Sequence, residues 1–509
     1  MNIRRLINQI IAFACLTMMS ACYNYDGDIV DEVNTGDCYI NLAISVSNGN
    51  HPTRAGEKPT GGENGDGREA GFERENTVTG ITLILYKDAT GINTSSDPTL
   101  DLVRYFPVTL GGRDAQGTAY STKTEEAYYT TGNQPLGKHD LDLKGTYHAI
   151  VIANALEVAV SLTEGISKLS DVRDITLNTI YVGDPTKSAD NCNHFVMSSE
   201  QDNTINFSSV TATNLDGTAH TQGNDMLFDL STQPIVIERM AARIDFWAAN
   251  STGYDATTYS KKGYVYNVTG STTDKFVVTG IVPFNLANGH ATYGSEYLLK
   301  RQCTDKDHLT ATAIRYMDNE TTSSYVIDPQ TFSKTSGTPT LTSPLADLYT
   351  LIGGEGGTVD VENATDNPYY HSIETMHASD VKSTISDKEN VVVCYPMENT
   401  LLPTTPLYYY ATGIAIVGWY YKNATDPGTR LVYLGYLRHQ GEAASYEIQP
   451  YTTPLATDVT MGTTTPMNYG IVRNNIYRVS IDNIDKKGTL ELKIKVKKWD
   501  PFIHDYIYM

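Results

Sequence analysis

The chain has 509 residues, more than one ordinary core accommodates, so two domains are expected. A formal net charge of -21 argues against nucleic acid or an anionic lipid surface as the partner. Only 19% of residues are charged, while 35 Tyr stand against 11 Phe and 3 Trp among abundant Thr, a composition that favours strands and suits an extracellular β-protein.

The N-terminus opens with the basic stretch Asn2-Ile3-Arg4-Arg5, followed by an apolar run from Ile10 through Met19 and then Ser20-Ala21-Cys22. A basic head, a short apolar core and small residues before a cysteine describe a secretory signal with a bacterial lipobox. The apolar run is too short for a permanent membrane span. Residues 1–21 are therefore expected to leave as a lipoprotein signal, with Cys22 as the lipidation site. Two or three acyl chains there would anchor the precursor durably to the outer membrane. Residues 22–37 are acidic and contain Gly, so they read as a tether; an acidic stretch after a lipidated cysteine is similar to the surface-export signal of Bacteroidetes lipoproteins. Of the other cysteines, Cys15 leaves with the signal. Cys38, Cys192, Cys303 and Cys394 have long, irregular spacings that make no metal knuckle, and buried free thiols are favoured over bridges.

The first strand is expected over 39–47, where Ile40, Leu42, Ile44 and Val46 alternate with Asn41, Ala43, Ser45 and Ser47, the period of a strand buried on one face. The stretch 48–76 is rich in Gly with mixed charges and is expected to be an exposed loop. Further strands are expected at 78–86, 102–110, 141–154 and 176–182, with one helix over 156–169 and short strands within 204–228. A strand over 235–247 is expected to open the second domain, giving an N-terminal domain of 38–230 and a C-terminal domain of 231–509. Strand patterns continue at 263–268, 275–282, 390–395, 407–421, 429–439, 471–481 and 489–496, with a short helix near 371–377. The fold class expected is all-β: two tandem antiparallel β-sandwich domains, Greek-key and transthyretin-like, with few short helices.

Catalytic patterns are sparse. HExxH, GxSxG and CxxC do not occur. The nearest phosphate-loop match, Gly132 through His139, has His139 where a magnesium-holding hydroxyl belongs, and a strand pattern follows it instead of a helix. No catalytic residue, cofactor or metal is expected, and the chain does not read as an enzyme. Trp419, flanked by Tyr420 and Tyr421, could be a stacking platform for a glycan, although its place inside a strand fits a core position as well.

The C-terminus carries a second distinctive pattern. Leu490, Leu492, Ile494 and Val496 share one face of a strand, with Glu491, Lys493, Lys495 and Lys497 on the other. Trp499 breaks that phase, so a bulge or strand end is expected near Lys498. Residues 502–509 are apolar and aromatic, whereas chain ends are ordinarily polar and frayed.

Several segments taken together resemble the fimbrillin family of Bacteroidales, the type V pilus subunits, and especially the main subunit of the short fimbriae. They are Thr53-Arg54-Ala55-Gly56, Tyr147 through Ala155, His194 through Ser198, Glu238 through Ile244, Tyr395 through Thr400 and Val472 through Tyr477, spread in order over the mature chain. The resemblance implies a structural pilin at the cell surface, exported as an outer-membrane lipoprotein and cut by a trypsin-like protease between Arg54 and Ala55. Arg68 and Arg74 lie in the same loop and are alternative cleavage points. The cut would release the first strand, with Ile40, Leu42, Ile44 and Val46, and an incoming strand would take its place. The implied donor lies within 489–509, either Leu490, Leu492, Ile494, Val496 and Trp499 or the tail 502–509. The partners implied are other copies of the chain and accessory pilus subunits, with adhesion as the outcome; the surface ligand stays open. A polymerising stalk subunit is favoured over a tip or anchor subunit, and a surface glycan-binding lipoprotein is the alternative from another class.

Overall fold

The computed structural model describes residues 36–46, 68–87, 97–110, 127–139, 143, 145–173, 175–177, 195–199, 203–221, 223–284, 296–297, 362, 370–379, 382–396, 411–438, 446–451, 471 and 473–500. Cys22, Arg54, Ala55, Cys192, Cys303 and the tail 502–509 lie outside them.

The first half contributes β1 (Asp37–Val46), β2 (Arg68–Ala70), β3 (Gly80–Tyr86), β4 (Leu100–Pro107), β5 (Thr109–Leu110), β6 (Ala127–Thr130), β7 (Gln134–His139) and β8 (Thr146–Ala153). Then come helices α1 (Leu156–Ser161) and α2 (Leu169–Arg173), followed by β9 (Thr176–Leu177), β10 (Met197–Ser199), β11 (Asn203–Asn206) and β12 (Met226–Arg239). The second half holds β13 (Arg243–Trp247), β14 (Gly253–Asp255), β15 (Gly263–Asn267), β16 (Lys275–Phe284), β17 (Glu296–Tyr297), β18 (His371–Ser372) and α3 (Ile373–Ala378). It ends with β19 (Lys382–Ile385), β20 (Lys388–Cys394), β21 (Gly413–Tyr421), β22 (Thr429–Tyr436), β23 (Tyr446–Ile448), β24 (Asn475–Ile484) and β25 (Leu490–Asp500). The protein is an all-β structure with few, short helices.

The first half builds one ten-stranded sheet in the order β4-β3-β8-β10-β12-β1-β6-β5, with β11 beside β8 and β7 beside β1. Its core gathers β3, β8 and β1 with Val158 of α1 and Val172 of α2. The second half is a sandwich. One sheet runs β19-β20-β13-β24-β25-β2, with β23 also on β25; the other runs β14-β15-β16-β21-β22, with β18 on β16. Their facing side chains, among them Phe246, Phe276, Val391, Ile416, Val479 and Leu492, form one core. Among the described residues three strand pairs are parallel: β1 with β12, β13 with β24 and β2 with β25. Each joins segments distant in sequence, where no hairpin imposes the antiparallel direction.

Three expectations need correction. The single strand expected over 235–247 is divided between the two halves. Residues up to Arg239 finish β12 in the first sheet, and β13 begins the second at Arg243. The helix expected over 156–169 is two short helices, because Leu162 turns extended and Gly165 adopts φ +74°. The loop expected to be exposed throughout 48–76 has Glu75 and Asn76 fully buried in a 3-10 turn, Glu73–Asn76. The strand end expected near Lys498 falls there, since the ladder with β24 stops at Lys498 and β25 at Asp500; a separate irregularity lies opposite Leu492 and Glu491, between Ile481 and Asn483 of β24. The helix expected near 371–377 is present as α3, and Gln134–His139 is a strand, so the phosphate-loop pattern opens no helix.

Candidate functional site: the slot of the first strand

β1 is an interior strand. It runs parallel to β12, from Cys38 opposite Met226 to Val46 opposite Ile237. On its other side it pairs antiparallel with β7 at its start and with β6 at its end, Ile44 facing Tyr129. At its midpoint the Leu42 N–H donates to Thr131 Oγ1 at 2.9 Å, and the Thr131 N–H donates to the Leu42 carbonyl at 3.0 Å. Asn41 donates from Nδ2 to Asp229 Oδ1 at 3.2 Å near the surface.

The apolar alternation does what its period implies: Ile40, Ile44 and Val46 are 0% exposed and Leu42 is 1% exposed. Burying four such side chains contributes about 1.5–3 kcal/mol each, about 6–12 kcal/mol before the entropy of ordering the strand. The other face differs from the expectation of one buried face. Ala43 and Ser45 are buried as well, and both are small enough for a covered position. Opposite the midpoint, β12 advances from Leu230 to Ile235 while β1 advances only from Leu42 to Ile44, so β12 carries a bulge containing Pro234.

The residues proposed from sequence as a donor, Leu490, Leu492, Ile494 and Val496, occupy the core of their own sandwich and are at most 2% exposed. β25 is hydrogen-bonded to β24 from Leu490 through Lys498, with β23 and β2 on its outer edge; Trp499 faces Glu69 in that outer ladder. Withdrawing this strand would expose four buried side chains at a cost of about 6–12 kcal/mol, which weighs against β25 as a donor.

The sequence reading missed a buried ionic hub where the two halves meet. Glu75, Arg239, Arg243, Asp245, Arg473 and Arg478 are all within 2% of full burial. Arg243 Nη1 lies 3.1 Å from Glu75 Oε2, and its Nε lies 2.9 Å from Asp245 Oδ1. Arg478 Nη2 reaches Asp245 Oδ2 at 3.3 Å, and Asn390 donates to the same oxygen at 2.9 Å. Tyr395 donates its hydroxyl to Glu75, and the Phe72 N–H donates to Glu75 Oε2 at 2.7 Å. Arg239 donates from Nε to the Glu75 carbonyl at 3.0 Å, from Nη1 to Asn474 Oδ1 at 2.7 Å and from Nη2 to Asn76 Oδ1. Burial pushes the Asp245 carboxyl up, but the charges of Arg243 and Arg478 and hydrogen bonds from Arg243 and Asn390 outweigh it, leaving the pKa below its ordinary value. Arginines set inside otherwise apolar runs, Arg239 and Arg243 in one and Arg473 and Arg478 in another, were the available signal.

Trp419 is half-buried against Val277 and Tyr421. Its Nε1 donates to Glu362 Oε1 at 2.9 Å, and Lys261 Nζ sits 4.6 Å above the ring centre, so that ring face is not a bare stacking platform. Cys394 is a buried free thiol, its pKa pushed up first by burial and then by the charge of Asp245. Cys38 is buried in β1.

No known protein family matches the chain by sequence, and no curated protein does. Solved structures similar to it include cell-adhesion and fimbrial proteins of Bacteroidales. A proposed cell adhesion protein from Parabacteroides distasonis has 13% identity and a TM-score of 0.40, over 91% of this chain and all of that one. A C-terminally truncated tip fimbrial protein from Porphyromonas gingivalis has 11% identity and a TM-score of 0.41, over 91% of this chain and 100% of that one. A fimbrilin from the same organism has 11% identity and a TM-score of 0.38, over 92% and 99%. Likenesses at this level carry no weight for function, which is argued below from the chain's own strands.

Proposed function

We propose that the chain is a fimbrial subunit, exported as a lipoprotein on Cys22, that becomes able to polymerise when its first strand is cut free. The observation that carries this reading is β1 itself. An N-terminal strand with the anchor upstream and a Gly-rich stretch downstream sits between two strands, and its removal opens a slot lined with apolar side chains. An open slot presents unsatisfied backbone groups on both lips and favours strand addition from another molecule. Head-to-tail repetition of such a contact builds an open filament.

Within this reading Arg54 is the favoured cleavage point. Arg68 stands in the β2–β25 ladder and Arg74 in the 3-10 turn Glu73–Asn76, whereas a protease requires an extended, unpaired backbone. The donor is the tail 502–509, since β25 is committed to its own core. A donor tail favours a stalk subunit over a tip subunit, and release of the lipid with β1 favours it over an anchor.

The test is limited trypsin treatment of the full chain made without lipid, followed by N-terminal sequencing and electron microscopy. A new terminus at Ala55 accompanied by filaments or SDS-resistant ladders is expected. A chain cut at Arg54 that stays monomeric, or one that resists cutting, overturns the reading.

A further inference from the structure

The slot becomes mechanically weak once β1 leaves. Among the described strand pairs, β7 reaches the rest of the first sheet through β1 alone, and β6 through β1 and through the two residues of β5, which continue β4 past Val108. With β1 gone, one lip is β12 and the other is β6 with β7, and no ladder between these lips holds them two strand spacings apart, about 9–10 Å. An unsupported apolar slot gains free energy by collapsing, since closing it removes apolar surface from water.

A side-chain bridge spans the gap independently of β1. Tyr129 lies on β6, directly opposite Ile44, and donates its hydroxyl to the carbonyl of Asn76. Asn76 Oδ1 accepts from Arg239, the last residue of β12 on the opposite lip. Asn76 is in turn fixed from below: its Nδ2 donates to the Phe72 carbonyl at 3.1 Å, and Glu75 beside it is held by Arg239, Arg243 and Tyr395. The crossing lies at the Ile44–Val46 end of the slot, where β1 leads into the stretch to be cut. Residues 72–76 follow that stretch in sequence and remain with the body of the protein after a cut at Arg54.

We infer that Tyr129, Asn76 and Arg239 form a crossbar, anchored in the buried hub through Glu75, that holds the two lips of the slot at strand spacing after β1 departs and so keeps the slot able to accept an incoming strand. This inference rests on the strand-exchange reading above. In the uncut chain the crossbar is redundant, because the ladders of β1 already fix β6. In the cut chain it supports the lip. The pairing partners of the incoming strand are the same main-chain groups that β1 uses; the Tyr129 ring is part of the slot wall opposite Ile44, and only its hydroxyl belongs to the crossbar.

The test compares the wild-type chain with Tyr129→Phe, which keeps the ring and removes only the hydroxyl. Each is cut with trypsin and freed of its first strand in mild urea. The probe is a labelled peptide of residues 37–46, the native occupant, and its uptake is followed by fluorescence anisotropy. Loss of one buried hydrogen bond that fixes the lip is expected to weaken uptake by about tenfold. The urea midpoint of the uncut variant is expected to fall only slightly, as the loss of one hydrogen bond requires, and a fall in the uncut chain large enough to account for the whole loss of uptake would overturn the crossbar in favour of a structural role in the folded body. Equal peptide uptake by both cut proteins overturns the crossbar while leaving strand exchange standing. A cut wild-type chain that takes up no peptide overturns both.

Discussion

Replacing Ile44 by Ala probes the slot most directly. Ile44 is fully buried, lies between Ile235 on β12 and Tyr129 on β6, and has no polar group, so its truncation removes apolar contact and leaves a cavity. Such a substitution costs about 2–5 kcal/mol in a packed core. At about 3 kcal/mol, the cut protein holds its first strand more than about a hundredfold less tightly, since about 1.4 kcal/mol is a factor of ten. Two neighbours calibrate the effect. Asn41→Ala loses only a surface hydrogen bond to Asp229, and about 0.5 kcal/mol is expected. Ala43→Leu forces a larger side chain into the second, covered face, and a cost of about 1–3 kcal/mol is expected. The assay cuts the loop, raises urea in steps and follows release of the N-terminal fragment by size-exclusion chromatography. The expected order of release is Ile44→Ala first, Ala43→Leu next, and Asn41→Ala together with the wild type. Release of all four at one urea concentration would refute the argument that side-chain burial in the slot retains the strand.

The hub carries an acid signature. The Asp245 pKa is lowered in the folded protein, so its contribution is fully present above the unfolded value of about 3.8 and is lost as pH falls below it towards the folded value. Asp245→Asn is expected to cost about 3–5 kcal/mol at pH 7 by leaving Arg243 and Arg478 short of a counter-charge. Its urea midpoint is expected to fall less between pH 5 and pH 3 than the wild type's, and an equal fall in both would contradict the assignment. In the sandwich, a Cβ at Gly263 would lie 1.9 Å from the Val278 carbonyl oxygen, a backbone atom of the β15–β16 ladder that cannot swing away. Gly263→Ala is therefore expected to destabilise by at least about 1–3 kcal/mol, read from urea unfolding by tryptophan fluorescence. A wild-type midpoint would mean that the two strands are not in that register.

Much of this protein is local and can be read in the chain. The alternation of Ile40, Leu42, Ile44 and Val46, and of Leu490, Leu492, Ile494 and Val496, identifies strands with a buried face, and all eight side chains are buried. Period-2 patterning depends on neighbouring residues only, so it survives without knowledge of the fold. It does not say which strand lies beside which. Only the tertiary structure places β1 parallel to β12, 188 residues away, and thereby makes it an interior strand whose loss opens a slot. It likewise separates the strands of 235–247 into two sheets, because the chain turns between Arg239 and Arg243, where both arginines enter the hub. Glu75 reads as part of a polar loop, since a carboxylate is ordinarily solvated. It is buried because Arg243, Tyr395 and the Phe72 N–H, brought from three parts of the chain, supply in the interior the hydrogen bonds that water would otherwise provide. Composition and periodicity report what each segment prefers; the partners that satisfy a buried charge or fill an edge come from the long-range folding of the chain.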